Sequence, residues 1–297
     1  MRIRNTSAFQ KTSQAACLLG CVALFLAATP MLKAGLLINE IHRSGVVGMD
    51  DFVEFVVTSD MTLAELDSIW FGDSNPSTNT VEIENKFNAT EIISNVDAFT
   101  STSDVILAGT IITVGGAGMA TDFNYSPNSA DPSDHESWNL TFSGGVGFDG
   151  SYPLSPFWLS QNGDAVWLST SKPSDGSGFD DIFSAVGYDS KPGDFGDFII
   201  DMEETDPGAY QFLTSDSFDG SLGRGNSLQN QGGASIDFAG GETGGGTPGD
   251  PGANFVFVSN LRAVPEPSTV VPCLCVLALA LVVRFRKKKV TAKESVQ

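Results

Sequence analysis

Two short runs, LLINEI at residues 36–41 and DFVEFVV at 51–57, decide how the rest of the chain is read. Each sets large apolar and β-branched residues beside interleaved polar ones, the two-residue rhythm of a pleated strand. Asn39, Glu40 and Glu54 stand in the middle of these runs. A polar side chain there either faces inward or lies at a sheet edge. The expected role is to satisfy backbone groups of a loop, since an unpaired buried polar group costs about 1–3 kcal/mol. A metal or catalytic role for Glu40 and Glu54 is the alternative.

Further runs extend the pattern. DVILAGTIITVGG (104–116) reads as two short strands bent at Gly109. GDAVWLST (163–170) and DIFSAVGYD (181–189) read as a pair across a Pro/Ser/Asp/Gly loop, and FVFVSNLRA (255–263) as a last strand. TLAELDSIWF (62–71) comes nearest to a helix, but the β-branched and aromatic residues at its end favour a strand. The 32 glycines and 14 prolines supply turns throughout. Many short strands with frequent turns predict an all-β sandwich or barrel. The stretch 229–254, QNQGGASIDFAGGETGGGTPGDPGAN, reads as a Gly-rich closing loop. No internal repeat is present.

In order, these segments resemble the lamin-tail domain family. LLINEI and DFVEFV resemble its opening strands, and LDSIWFGD (66–73) stands at the place of its L-S-G-W-x-L-x-D element. VILAGTIITVGG, LSQNGDAVWL (159–168) and IFSAVGYD (182–189) resemble the strands that follow. GSLGRG (220–225) and TPGDPGAN (247–254) resemble its closing S-L-x-R and T-P-G-x-x-N. The resemblance covers about residues 35–254. It implies an immunoglobulin-like β-sandwich and an extracellular binding or structural module without accepted catalytic residues. Two departures stand out: long loops at 74–103 and 117–158, and the added strand at 255–263.

The ends of the chain differ sharply from its body. The 297 residues hold 36 acids and 16 bases, yet residues 35–263 hold 34 of the acids and six of the bases, a formal charge of −28. That field repels polyanions, so nucleic acid is a poor partner; cations, cationic polymers and neutral extracellular polysaccharide fit better. The four cysteines, Cys17, Cys21, Cys273 and Cys275, all lie in the terminal apolar segments. The body therefore has no disulfide, Cys-ligated zinc or thiol nucleophile.

Residues 1–34 read as a secretory signal peptide. Arg2, Arg4 and Lys11 form the basic lead, residues 15–29 the apolar run, and Ala34 the cleavage point. LLGC ending at Cys21 offers a lipoprotein alternative, disfavoured because the stronger apolar stretch follows it. At the other end, Pro265, Glu266 and Pro267 precede an apolar segment read as a transmembrane helix over 269–285. Arg284, Arg286, Lys287, Lys288 and Lys289 follow as a basic stop that stays cytoplasmic. Residues 290–297 form the cytoplasmic tail. The two prolines make the Pro-Glu-Pro motif extended and open to an enzyme. Residues 264–289 resemble the PEP-CTERM sorting signal of Gram-negative bacteria. That resemblance implies Sec export, transient anchoring in the inner membrane, and processing by an exosortase-type membrane protease. The destination it implies is the cell surface or extracellular matrix. A plain tail anchor is the alternative.

Catalytic signatures are sparse. The histidines are His42, with Glu40 two residues back on the same strand face, and His135 in the polar loop DPSDHESW. There is no G-x-S-x-G, no H-E-x-x-H, no phosphate loop and no G-x-G-x-x-G before a helix. An extracellular hydrolase acting on polysaccharide or another polymer, with Glu40 and Glu54 as its acids, is the alternative function. Asp73, Asn75, Ser77, Asn79 and Glu84 echo a calcium loop, but Thr78 replaces the required turn glycine. The acidic stretch 189–208 is the better calcium candidate, with Asp194, Asp197, Asp201, Glu203 and Asp206 as ligands. The function expected is that of a non-catalytic, structural or adhesive surface protein with no cofactor unless calcium.

Overall fold

The opening runs form β1 (Leu36–Arg43) and β2 (Phe52–Val57), an antiparallel pair. The register shifts between Ile38 and Glu40, so β1 carries a bulge. Because side chains alternate, one extra residue reverses the faces. Leu36 and Ile38 enter the main core before the bulge, and Ile41 enters it after. On β2, Val53, Phe55 and Val57 point the same way. The opposite face is buried too: Phe52 and Val56 are almost fully covered. Two buried faces explain why these runs are more apolar than a half-exposed strand.

The computed structural model describes residues 35–43, 51–75, 80–150, 152, 154–160, 163–173, 181–189, 210–214, 226–231, 238–243, 248–249 and 255–263. All fall within the unit that begins at Ala34. One six-stranded sheet has the order β14 (Phe238–Thr243), β13 (Asn226–Asn230), β1, β2, β7 (Ile111–Gly115), β8 (Asn139–Ser143). The second has the order β12 (Tyr210–Thr214), β11 (Ile182–Asp189), β10 (Gly163–Ser169), β4 (Trp70–Asn75), β5 (Thr80–Phe87), β9 (Phe148–Gly150). A small ribbon joins β3 (Met61–Thr62) to β6 (Val105–Ile106). Most pairs are antiparallel; β7–β8 and β11–β12 are parallel.

One core lies between the sheets. Ile38, Val53, Phe55, Ile112 and Val114 from the first meet Phe71, Phe87, Val166, Leu168 and Val186 from the second. Phe71 sits at its centre, with ring centroids 4.7 Å from Phe87, 5.6 Å from Phe148, 5.7 Å from Phe157 and 5.9 Å from Phe55. Offset and tilted aromatic contacts of this kind add about 0.5–1.5 kcal/mol each beyond area burial. The described residues are therefore mostly β, in two six-stranded sheets and a small ribbon, with few helices. The predicted pair at 163–170 and 181–189 forms, as do the two strands bent at Gly109.

Four expectations need correction. The Gly-rich stretch 229–254 is not all loop: it holds the end of β13 and the whole of β14, paired antiparallel. FVFVSNLRA is helical, not a strand: α3 (Phe255–Ala263) lies outside the sandwich, where Val258 packs on Leu37, Val56 and Ile111 with Phe257 and Leu261 beside it. Val258 and Arg262, like Phe257 and Leu261, stand four apart and so share a helix face. TLAELDSIWF divides into a helical turn, α1 (Leu63–Leu66), and the start of β4. The deciding signal is a capping box: Thr62 Oγ1 accepts from the Glu65 amide at 3.2 Å, and the Glu65 carboxylate accepts from the Thr62 amide at 2.6 Å. The long loops are also partly structured. The first holds β5 and α2 (Ala89–Asn95), capped by Asn88; the second holds a 3₁₀ turn at Glu136–Trp138, β8 and β9.

Candidate functional site

Glu40 and Glu54 are Cα partners across β1 and β2. Directly opposed residues place their Cβ atoms about 4.5–5.5 Å apart. Alternation sets Glu54 on the outer face of its sheet, between the core residues Val53 and Phe55. The site is nonetheless closed, with Glu40 1 % and Glu54 0 % exposed. Glu54 accepts three hydrogen bonds. Thr113 Oγ1 donates at 3.1 Å, Asn39 Nδ2 donates at 3.4 Å, and the Gly249 amide donates to Oε1. Gly249 belongs to the TPGDPGAN stretch, nearly two hundred residues downstream, so Glu54 ties that glycine to the sheet.

Gly249 suits this position for two reasons. Its φ is +86°, a conformation that side chains disfavour, and a Cβ there would meet Asn139 Nδ2 at 2.3 Å. Burial, with the Glu40 charge second, pushes the Glu54 carboxyl well above its ordinary value of 4.5, against the three donated hydrogen bonds. A paired-carboxyl arrangement with one raised pKa can in principle pass a proton, as general acids do. Here a strand, a threonine and a glycine turn surround it, and no surface of Glu54 meets solvent.

The other predicted residues are spread out. His42 follows Glu40 on the same face. Its ring stacks on Phe52 at 4.7 Å, and Nδ1 lies 2.9 Å from Ser227 Oγ. His135 lies elsewhere, 2.8 Å from Arg262 Nη1 through its Nδ1. Guanidinium only donates, so His135 Nδ1 is the acceptor in this contact. Asp73 and Glu84 do not form a calcium loop. They lie on the paired strands β4 and β5, on opposite faces, where Asp73 accepts from the Trp158 amide and Glu84 pairs with Lys172 at 3.5 Å. Asn75 stands in β4, and positions 76–79 lie outside the described residues.

The calcium candidates Asp194, Asp197, Asp201, Glu203 and Asp206 lie outside the described residues. So do Ala34, the Pro265–Glu266–Pro267 motif, the apolar run 269–285 and the basic stop Arg284, Arg286, Lys287, Lys288 and Lys289. Among the described residues no group of three or more His, Cys, Asp or Glu side chains is placed to hold a metal. Among them, too, no helix is long and apolar enough to cross a membrane.

Sequence reasoning missed two arrangements. Arg262 of α3 is 1 % exposed and donates from Nε to Gly109 O at 2.8 Å and from Nη1 to Pro132 O at 3.1 Å. It also lies 5.2 Å from the Trp138 ring. A lone arginine in an apolar run was the available signal. The second is a polar frame beneath residues 154–160. Asp73, Asn85, Arg43, Asp164 and Tyr188 hold its backbone, and no sequence motif marks them as a group. Compared with known proteins, the chain matches no family model, no curated protein and no solved structure.

Proposed function

We propose that this chain is an exported, non-catalytic β-sandwich protein of the lamin-tail type, sorted by an exosortase-type system and serving a structural or adhesive role at the cell surface or in the extracellular matrix. The observation that carries the non-catalytic reading is the use made of Glu54. The acid best placed for chemistry spends its oxygens on Gly249, Thr113 and Asn39 and has no exposed surface. Such an arrangement closes a fold rather than admitting a substrate.

The immunoglobulin-like form is supported by the path of the chain. It leaves the first sheet after β2, returns so that β7 pairs with β2, and leaves again so that β10 pairs with β4. This is the Greek-key alternation of such sandwiches. Export is supported by the charge asymmetry: a −28 body between two apolar ends, each with basic residues. The implied partners are the Sec machinery and an exosortase-type membrane protease, with extracellular polysaccharide as the surface met after release.

Intact mass spectrometry of the protein from a Gram-negative host, with and without its exosortase, tests this. Termini near Gly35 and within Pro265–Pro267, the latter only when the exosortase is present, are the expected result. An unprocessed C-terminus held in the membrane fraction supports a plain tail anchor. Full-length chain folded in the cytosol overturns export altogether.

One observation favours a second reading, that of an extracellular hydrolase. Glu40 and Glu54 are directly opposed, and burial, with the Glu40 charge second, pushes the Glu54 carboxyl well above its ordinary value, the direction a general acid needs. Activity lost in Glu40→Gln without loss of fold would establish it. Inactivity of the wild type on polysaccharide and ester panels ends it.

A further inference from the structure

Large apolar side chains are well hidden in this protein, with one concentrated departure. Among the described residues, Tyr152 is 51 %, Leu154 65 % and Trp158 54 % exposed, three outward side chains within seven positions. Their neighbours Phe157 and Leu159 are buried, Phe157 against Phe71 at 5.7 Å. The segment thus sets displayed groups beside buried anchors.

Its backbone is held from several sides. Leu154 O accepts from the Ala117 amide at 3.0 Å, and the Ser155 amide donates to Tyr152 O at 3.0 Å, closing a turn. Asn85 Nδ2 donates to Pro156 O at 2.9 Å, and the Trp158 amide donates to the buried Asp73 carboxylate. Arg43 Nε donates to Leu159 O at 3.0 Å. Ser160 donates its amide to Asp164 at 3.1 Å and accepts from Tyr188 Oη at 2.9 Å. Asp73, Asp164 and Arg43 are 0 %, 1 % and 8 % exposed. Burying charged groups is costly unless they do structural work, and these fix the loop that displays Trp158. A fixed loop loses little entropy when it binds, and a displayed aromatic on such a loop is the usual anchor of a binding surface.

The chemistry of the occupant follows from charge and size. No charged residue occurs between Asp149 and Asp164, in a body that otherwise carries −28. A cationic partner would find its attraction elsewhere on that body, and a polyanion would be repelled. Two rings and one leucine are too small an apolar area for a stable protein interface, which needs about 800 Å² a side. They suit a neutral sugar chain. Its rings present faces of C–H bonds to the electron-rich faces of indole and phenol, and no charge need be matched.

We propose that Trp158, with Tyr152 and Leu154, forms a binding surface for neutral polysaccharide. The proposal rests on the reading of the chain as a non-catalytic extracellular protein and names the polymer contact through which it adheres.

The test is co-sedimentation of the mature protein with insoluble cellulose, amylose, β-1,3-glucan and chitin, with alginate gel as the anionic control. Retention on at least one neutral polymer is expected, with a blue shift of tryptophan fluorescence and none on alginate. Trp158→Ala should weaken retention about tenfold or more, Tyr152→Ala less, and Trp158→Phe should restore part of it. Because Trp158 is half exposed, these variants should keep the wild-type urea midpoint, which is checked in parallel. Failure to bind any of the neutral polymers, equal binding by Trp158→Ala, or stronger binding to alginate each overturns the proposal. Cleaved extracellular protein that binds none of them would leave the export reading intact; uncut cytosolic protein would sink export whatever the binding.

Discussion

At the scale of single residues, Glu54 and Phe71 carry most of the argument. Glu54 has a folded-state pKa raised above its ordinary 4.5. Below that value both folded and unfolded chains hold the proton, and the stability is fully present. As pH rises, the unfolded chain ionises first, so stability falls until pH passes the raised value. Glu65 and Asp104 act in the opposite sense. Backbone amides of Thr62 and Thr100 hold their carboxyls below the ordinary range, so their contribution is present at neutral pH and lost on acidification. Thermal melts from pH 4 to 9 should therefore show a decline above about pH 5 that Glu54→Gln flattens. Glu54→Ala should cost about 1–3 kcal/mol in urea titrations, because it strands the buried Gly249 amide. Phe71→Ala, at the meeting point of four other aromatic rings, should cost about 3–5 kcal/mol by the same measurement.

At the scale of elements, the outer helix α3 depends on one arginine. Arg262 bonds Gly109 O and Pro132 O, meets His135 and lies by Trp138. Gly109 has φ +88° and would press a Cβ against Arg262 Cγ at 2.4 Å, so helix and turn are fitted to each other. Arg262→Met keeps the apolar stem but loses the donors. Hydrogen exchange should then quicken across α3 while β2 and β7 remain protected, at a cost of about 1.5–3 kcal/mol. The capping box makes a smaller case. Thr62→Ala should lower stability by about 1 kcal/mol, since it removes the acceptor for the Glu65 amide.

At the scale of the whole molecule, charge is the governing property. A body carrying −28 repels itself, and that repulsion is screened by salt. The unfolding midpoint should rise as sodium chloride is increased from 10 mM to about 300 mM at pH 7, and most of the rise should occur by about 150 mM, where the Debye length is about 8 Å. A flat midpoint across that range would mean the acids are already compensated. The strand pairs β1–β2 and β10–β11 were legible because alternation and β-branched residues state them locally. Helix α3 was not, because nine residues rich in phenylalanine and valine satisfy either period until a surface is offered to them. The Thr62-x-x-Glu65 spacing of the capping box is present in the sequence, but the strand expectation rested on the β-branched and aromatic residues after it.

By itself the sequence determined the all-β character, the turn at Gly109, the thiol-free acidic body and the contrast between that body and its apolar ends. These follow from local side-chain periodicity, backbone preference and formal charge, which need no partner in space. The tertiary structure decided the surroundings of Glu54, His42 and His135, because these are set by groups elsewhere in the chain: Gly249, Phe52, Ser227 and Arg262. It also decided that Trp158 is displayed while Phe157 beside it is buried. That difference rests on which side of a fixed backbone each residue occupies, and only the packed sheets beneath the loop settle it.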